Sequence, residues 1–329
     1  MNRTFRSLRV RNYRLFAGGQ LVSLTGTWMQ RVGQDWLVLQ LSHNSGTAIG
    51  VTTGLQFLPL LLFGLQGGVI ADRFSKRSVL ICTQAAMGLL ALALGLLDLL
   101  GVASLVEVYV FAFLLGVATA VDNPTRQSFV AELVGQDELP NAVGLNSATF
   151  NAARIVGPAL AGLMIEGIGT GWVFLLNAVS FLAVIGALVA MRTAELFPAP
   201  RLRQGPGRVR EGLSYVRHRR EVLVPIVLVG IVGTFGFNFQ ITIALMVKTV
   251  FHLGAGAFGL LSSVLAAGCL VGALIGARRE RPTMRLVIFA AIVFGLLEIV
   301  VGVMPTIVLM AVALVPAGIA ALTFATSAN

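Results

Sequence analysis

Long hydrophobic segments alternate with short polar segments along almost the whole chain. Each hydrophobic segment is about 20 residues or longer, the length that a helix needs to cross about 30 Å of hydrocarbon. The pattern therefore predicts ten membrane-spanning helices. Their expected ranges are 13–41, 46–71, 78–99, 105–123, 141–164, 171–191, 222–247, 256–277, 284–303 and 306–327. The connections are short except at 124–140 and 192–221.

The composition supports this interpretation. Hydrophobic residues make up 57% of the chain, charged residues make up 12%, and the mean hydropathy is +0.88. Soluble domains carry about 25% charged residues. The chain is therefore expected to be an all-α polytopic membrane protein. Cys82 and Cys269 both fall within predicted helices, so they imply neither a disulfide nor a metal site.

The charge distribution predicts the topology. The net charge of +10 comes from 24 Lys and Arg against 14 Asp and Glu. Basic residues cluster at the N-terminus and after the second, sixth and eighth predicted helices, whereas the loops at 42–46, 100–104 and 165–170 contain none. The positive-inside rule then places the N-terminus in the cytoplasm, with the chain in the cytoplasmic (inner) membrane. A basic run that binds nucleic acid or anionic lipid is the competing interpretation. We expect a lipid bilayer and no nucleic acid as partners.

Two similar basic segments point to a duplicated architecture. One runs from Gly68 to Arg77, and the other runs from Gly276 to Arg285. Both follow an apolar run, and parallel halves of this kind are typical of transporters. The expected organisation is a six-helix bundle at 1–192, a cytoplasmic linker with a short amphipathic helix at 193–221, and an incomplete four-helix bundle at 222–329. The chain is accordingly expected to be a fragment or a truncated product.

Two motifs resemble the major facilitator superfamily. The first resembles its loop motif between helices 2 and 3, with Ser75 where glycine is usual. The matching residues are Gly68, Asp72, Arg73, Lys76 and Arg77. The second motif runs from Asp122 to Gly162 and resembles the drug- and siderophore-exporter branch known as transmembrane secretion effectors. It contains a likeness to the helix-5 antiporter motif, in Gly157, Pro158 and Gly162.

The resemblance implies the major facilitator fold of two six-helix halves, here with the second half truncated after four helices. It also implies secondary active export by alternating access, with protons as the coupling ion. The loop motif would act as a conformational latch, and the Gly157 to Gly162 segment would form a sliding surface between the halves. Two alternatives stay open: the loop charges enforce topology only, and the small residues only pack helices.

A polar stripe on the first helix predicts a cavity. Its members recur every three or four residues and therefore share one helical face. They are Gln20, Ser23, Thr27, Arg31 and Gln34. Asp35 follows Arg31 by one turn, which predicts an ion pair. Ionisable groups cost at least ~2.5 kcal/mol at the bilayer centre and are functional candidates. We expect Arg31 and Asp35 in the cavity, with Asp35 exchanging protons or contacting a cationic substrate. A structural ion pair is the alternative.

Other intramembrane polar residues are weaker candidates. Arg154 is expected either to bind an anionic group or to stabilise a contact between helices. Asn238 and Gln240 interrupt the apolar run of the seventh predicted helix, and one of them is expected to reach the cavity. Glu298 is expected to have a structural or lipid-facing role.

Catalytic motifs are missing from the sequence. It contains no Walker A loop, no His-Glu-x-x-His and no Gly-x-Ser-x-Gly, so an enzyme, a metal site and a cofactor are not expected. The leading hypothesis is a proton-coupled exporter of small lipophilic or amphipathic molecules, of the drug or siderophore type. The alternative is a truncated, non-transporting membrane fragment or assembly partner.

Overall fold

The computed structural model describes residues 3–197, 220–277 and 283–328. These residues are almost entirely helical and contain no β-strand. The predicted amphipathic helix of the linker lies mostly outside the described residues. The same holds for the charged part of the second basic segment, from Arg278 to Arg281.

The chain divides into two compact units. The first unit comprises Met1–Arg201 together with Gly254–Gly259, and the second comprises Leu202–Leu253 together with Leu260–Asn329. The first unit begins with a 3-10 helix at Arg3–Arg9. Its α-helices are α1 (Arg11–Leu41), α2 (Gly46–Arg73), α3 (Lys76–Leu99), α4 (Leu105–Ile168) and α5 (Thr170–Val189).

The helix α4 joins two predicted spans into one element. Its 64 residues, at about 1.5 Å per residue, are roughly three times as long as a bilayer core is thick. Gly135 interrupts it with a φ of 72°, a conformation that glycine adopts without strain. The Phe197 ring packs 3.4 Å from where a Cβ atom of Gly135 would lie, and the Phe197 amide donates to the Glu132 carbonyl. The break at Gly135 therefore separates the two predicted spans.

Buried contacts hold the start of the chain against α4. The Ser7 amide and hydroxyl donate to Asn141 Oδ1 at 2.9 and 2.7 Å. The hydroxyl of the fully buried Tyr13 donates to the Ala142 carbonyl at 2.8 Å, and Phe16 packs edge-on against Phe129. These contacts fix the position of α1, which carries the predicted polar stripe.

The second unit contains the later helices. They are α6 (Arg220–Phe235), α7 (Phe239–Leu245), α8 (Ala255–Ala277), α9 (Met284–Gly302) and α10 (Ile307–Ala328). A π-helical turn at Met246–Val250 continues α7. The predicted span 222–247 is thus divided between α6 and α7. Phe237, Phe239, Phe294 and Phe324 form an aromatic cluster beside this division.

Eight helices among the described residues are long and apolar enough to cross a membrane. In that number α4 counts once, although two spans are predicted there, and α1 with its polar stripe is not included. An all-helical, multi-span membrane protein is therefore confirmed. The total of ten helices, the truncation of the second half and the division into 1–192, 193–221 and 222–329 stay predictions.

Candidate functional site

The first unit encloses a polar cavity of about 220 Å³ among α1 to α5. Four members of the predicted stripe, Ser23, Thr27, Arg31 and Gln34, lie in its wall. The other polar wall residues are Gln30, Gln56, Gln84, Thr119, Asp122, Asn123, Arg126 and Asn177. A second cavity of about 320 Å³ shares Asn123 and Arg126 with the first. We call the first of these the polar cavity.

Asp122 is the centre of a hydrogen-bond network in the polar cavity. It is only 2% exposed. Thr83 Oγ1 and Gln84 Nε2 on α3 both donate to Asp122 Oδ1, at 2.8 and 2.9 Å. Arg126 Nε lies 3.5 Å from the other carboxylate oxygen, one turn along α4. A buried carboxylate is stable only when paired and hydrogen-bonded, and these three donors meet that requirement.

Arg126 extends the network to α1. Its guanidinium donates to Asn123 Oδ1 at 2.7 Å and to Gln20 Oε1 at 3.2 Å. Gln20 is 2% exposed, and its buried Nε2 has no hydrogen-bond partner among the described residues. Gln20 therefore belongs to the network behind the wall, while the rest of the stripe faces the cavity.

Sequence reasoning did not select Asp122 and Arg126 as site residues. The fourth predicted span ends at residue 123, so Asp122 and Arg126 lie on either side of its predicted end. In the structure α4 continues without a break past Arg126. The signal that could have identified them is an acid and a base four residues apart beside an apolar run, because such a pair is a helical ion pair.

The Arg31 guanidinium lies over aromatic rings instead of pairing with a carboxylate. Its central carbon is 4.7 Å from the Trp28 ring centroid and 5.9 Å from the Phe57 ring centroid. The Arg154 guanidinium lies 5.6 Å from the same Trp28 ring. Two cations on different helices therefore share one indole, an arrangement that cation–π attraction favours.

The predicted ion pair between Arg31 and Asp35 is wrong. No ion pair within 4.0 Å joins these two described residues. Long side chains on a helix point back toward its N-terminus, so Arg31 reaches Trp28 on the preceding turn, while its charge still attracts that of Asp35 on the following turn. Asp35 is 7% exposed and lies beyond Gln34, the last α1 residue in the wall of the polar cavity.

The candidates of the second unit have local contacts. Asn238 precedes α7, and its Nδ2 donates to the Thr234 carbonyl at 2.7 Å. Gln240 lies in the first turn of α7 and is half-buried, and Glu298 is half-buried on α9. Their roles in transport stay proposals. The described residues include no group of three His, Cys, Asp or Glu side chains that could hold a metal ion.

The basic loop motif binds two helix ends within the first unit. Lys76 Nζ lies 2.6 Å from Glu132 Oε1, with side-chain exposures of 12% and 17%. Arg77 donates to the carbonyls of Leu188 and Val189 at 2.6 and 3.1 Å. A cation on the last carbonyls of a helix satisfies orphan acceptors and complements the helix dipole.

The close approach of α2 to α4 is at Gly67, next to the motif residue Gly68. A Cβ atom on Gly67 would overlap the carbonyl oxygen of Ala120 and would lie 3.0 Å from its carbonyl carbon. A Cβ atom on Gly68 would have no atom within 4 Å. The two residues are 100° apart on α2, so only one of them can face α4. Asp72 and Arg73 of the same motif are exposed.

The glycine-proline motif packs closely on both sides. A Cβ atom on Gly157 would lie 2.6 Å from Cβ of Trp28 on α1. One on Gly162 would lie 3.0 Å from Cα of Gly256, at the start of α8 and within the same unit. Pro158 is buried between them. The packing role of the motif therefore has direct geometric support, while the sliding role stays a proposal.

The ion pair of the loop motif leads to a stability prediction. Lys76→Glu is expected to lower the unfolding temperature, because it places two carboxylates together at a largely buried site. Breaking a buried pair costs about 3–5 kcal/mol, and the partial exposure here favours the lower end of that range. The double variant Lys76→Glu/Glu132→Lys should recover most of the loss, as measured by thermal unfolding in detergent.

Arg73→Glu is the matched control, since Arg73 is an exposed cation of the same motif. It should change the unfolding temperature little. An effect of Arg73→Glu as large as that of Lys76→Glu would contradict a role for the ion pair. That outcome would instead support the alternative in which the charges of the loop motif only enforce the membrane topology.

Comparisons with known proteins identify the family and agree with the helical fold. A family model described as transmembrane secretion effector matches residues 2–329. The staphyloferrin A transporter of Staphylococcus aureus strain NCTC 8325 / PS 47 is 25% identical over 262 residues, covering 79% of this chain and 65% of the relative. Macrolide efflux protein A of Streptococcus pyogenes is 23% identical over 241 residues, covering 70% of this chain and 57% of the relative. The chain thus spans less than two thirds of either relative.

Among solved structures, a bacterial homologue of the human lysosomal transporter Spinster, in an inward-facing and unoccupied conformation, is similar in fold. Its TM-score is 0.75 at 15% identity, covering 97% of this chain and 74% of that one. The matched relatives are membrane transporters and not enzymes, in agreement with the sequence-based expectation.

Proposed function

This chain belongs to the transmembrane secretion effector family of the major facilitator superfamily, and from that premise we propose that it exports a small molecule by alternating access, driven by protons. The observation that carries the proposal is the polar cavity with its buried Asp122–Arg126 pair. A buried ionisable pair inside a membrane helix bundle marks a substrate or proton path by default. Alternating access requires such a site to open to each side of the membrane in turn.

The pair offers a means of proton coupling. When the Asp122 carboxylate takes up a proton, its charge is lost and its attraction for Arg126 is lost with it. Arg126 then holds only the neutral acceptors Gln20 and Asn123. Because a buried cation without a counter-charge is costly, protonation favours a rearrangement that returns Arg126 to water or to an anionic ligand. Protonation of Asp122 would thereby be linked to a rearrangement of the cavity, which coupling of transport to a proton gradient requires.

Asp35 is the second candidate for proton exchange. It is the other buried carboxylate of α1 to α5 that lies within a predicted span near the cavity, one residue beyond Gln34. Asp35 does not line the polar cavity, so its part in substrate release would be less direct than that of Asp122. The two carboxylates can be distinguished by separate Asn variants.

The remaining assignments follow from the family and the charge pattern. We propose an inner-membrane location with the N-terminus in the cytoplasm, based on the basic residues of the predicted cytoplasmic loops. The loop motif would act as the latch, and Gly157, Pro158 and Gly162 as the sliding surface. The named relatives suggest siderophores and macrolides as substrates to screen.

The test is transport by purified protein in liposomes with an acidic interior. A screened siderophore or macrolide should accumulate inside, and a protonophore that removes the pH gradient should abolish accumulation. A pH-sensitive dye in the lumen should report proton efflux that begins when the substrate is added. Correctly folded protein that accumulates none of the screened compounds would contradict the proposal and favour a non-transporting membrane protein.

A further inference from the structure

The helices α3 and α4 also form an apolar groove, separate from the polar cavity. Met87 and Asp122 line the polar cavity, whereas their neighbours Ala86 and Val121 line a groove of about 530 Å³. The two hollows share no wall residue. The groove is therefore a second hollow of the first unit, and we call it the apolar groove.

The wall of the apolar groove has little to offer a polar ligand. Among the described residues, only Cys82 and Thr83 supply polar side-chain groups to it. The Thr83 hydroxyl lies 2.8 Å from Asp122 Oδ1 and 3.1 Å from the Leu80 carbonyl oxygen, so its hydrogen is already used. A thiol is only a weak donor. A polar ligand would lose hydrogen bonds on entering the groove, a cost that a hydrocarbon chain does not bear.

Polar contacts hold α3 and α4 together beside the groove. Lys76 Nζ lies 2.6 Å from Glu132 Oε1 near the start of α3. Further along, Thr83 and Gln84 donate to Asp122. These contacts fix the arrangement of the two helices, so only a second molecule can fill the groove.

The position of the groove indicates where that molecule comes from. Both α3 and α4 are long and apolar enough to cross a membrane. From Cys82 to Leu90 the groove extends about 12 Å along α3, close to the ~15 Å of hydrocarbon in one leaflet. Cys82 lies six residues after Lys76, the first residue of α3. The groove therefore opens to the leaflet that adjoins the basic loop motif.

We propose that the apolar groove binds one acyl chain of a phospholipid from this leaflet. Within a bilayer, binding to a helix surface depends on van der Waals packing, because the lipid is as apolar as the helix. The small side chains of Ala86 and Ala118 leave room for a chain beside larger ones such as Leu89 and Leu114. The chain then contacts protein on more than one side, whereas a convex helix face contacts it on one side only.

A photoactivatable lipid tests the site. The full chain is reconstituted in phosphatidylcholine nanodiscs with a small fraction of phosphatidylcholine that carries a diazirine in the middle of one acyl chain. Peptide mass spectrometry locates the adducts after illumination. Native mass spectrometry of protein released into mild detergent counts the phospholipids that stay bound. Ala86→Phe fills the groove, and Leu96→Phe is the control because Leu96 is exposed on the same helix outside the groove.

We expect one retained phospholipid per chain and adducts concentrated at 82–90 and 114–121. Both signals should fall at least ~5-fold in Ala86→Phe, because the ring takes the space of the chain, and should stay unchanged in Leu96→Phe. Ala86→Leu, a milder filling, should give an intermediate loss and serves if Ala86→Phe does not fold by circular dichroism and gel filtration. No retained phospholipid, equal retention in both filling variants, or adducts spread evenly over the lipid-facing helices would overturn the proposal.

Two further arms identify what occupies the groove. Phosphatidylglycerol nanodiscs should give the same retention, since the groove contacts the chain and not the headgroup. Retention of phosphatidylglycerol alone would show a headgroup site and contradict an acyl-chain site. In a Cys269→Ala background, a short bis-maleimide should not join Cys82 of two chains, because lipid lies between them. Efficient cross-linking would show that a second copy covers the groove, and retention of a free fatty acid would exclude a phospholipid.

Discussion

Replacing Asp122 with asparagine is expected to abolish pH-gradient-driven transport and to destabilise the first unit. Asparagine can accept from Thr83 or Gln84, but it carries no charge to pair with Arg126 and cannot exchange a proton at this site. Leaving a buried partner charge unpaired costs about 3–5 kcal/mol. Because the Arg126 side chain is 21% exposed, water offsets part of that cost and the lower end of the range applies.

The double variant Asp122→Asn/Arg126→Gln separates stability from coupling. With both charges removed, the unfolding temperature should recover, while substrate accumulation should stay at the level of empty liposomes. Asp35→Asn is the matched comparison, as it neutralises a buried carboxylate that has no ion pair with Arg31. Unchanged, gradient-dependent transport in Asp122→Asn would remove Asp122 from the coupling step. Unchanged, gradient-dependent transport in Asp35→Asn would likewise exclude Asp35 from the coupling step.

Gly67→Ala and Gly68→Ala are expected to change stability in opposite directions. The new methyl group at Gly67 would overlap the Ala120 carbonyl, so α2 and α4 would have to separate. Overpacking of this kind costs about 1–3 kcal/mol. At Gly68 the methyl group meets no atom within 4 Å, and alanine favours the helix by up to about 1 kcal/mol over glycine.

Thermal unfolding in detergent and the yield of monodisperse protein measure both effects. The two variants are adjacent, add the same methyl group and belong to the same helix, so each is the control for the other. Equal destabilisation would show that the motif glycine at 68 also packs against a helix. Equal stabilisation would show that α2 and α4 are farther apart at Ala120 than the structure indicates.

Local patterns predicted much of the fold. Segments of about 20 apolar residues indicate membrane helices because each backbone group is satisfied within its own helix. The described residues confirm this for α2, α3 and α5, whose bounds lie within a few residues of the predicted ones. The break at Gly135 is also visible locally, since glycine and the polar residues around it separate two apolar runs.

The polar face of α1 could likewise be predicted from the sequence, whereas its partners could not. The spacing of Ser23, Thr27, Arg31 and Gln34 is a property of one helix, and helical periodicity alone places them on one side. The side chains that complete the cavity come from α2 to α5, far away in the sequence. No local pattern in the sequence predicts that Thr83 and Gln84 donate hydrogen bonds to Asp122.

The chain by itself therefore determined the helical segments, the family and one face of the cavity, since hydropathy, charge and periodicity act within a few residues. Only the tertiary structure decided which glycine faces α4, where Arg31 points and which carboxylate is buried in a network. These properties depend on atoms of other helices: the carbonyl of Ala120, the Phe57 ring beside Arg31 and the donors of α3. Helix packing, and the partners from other helices that a side chain meets, are set by three-dimensional contacts that spacing along one segment does not specify.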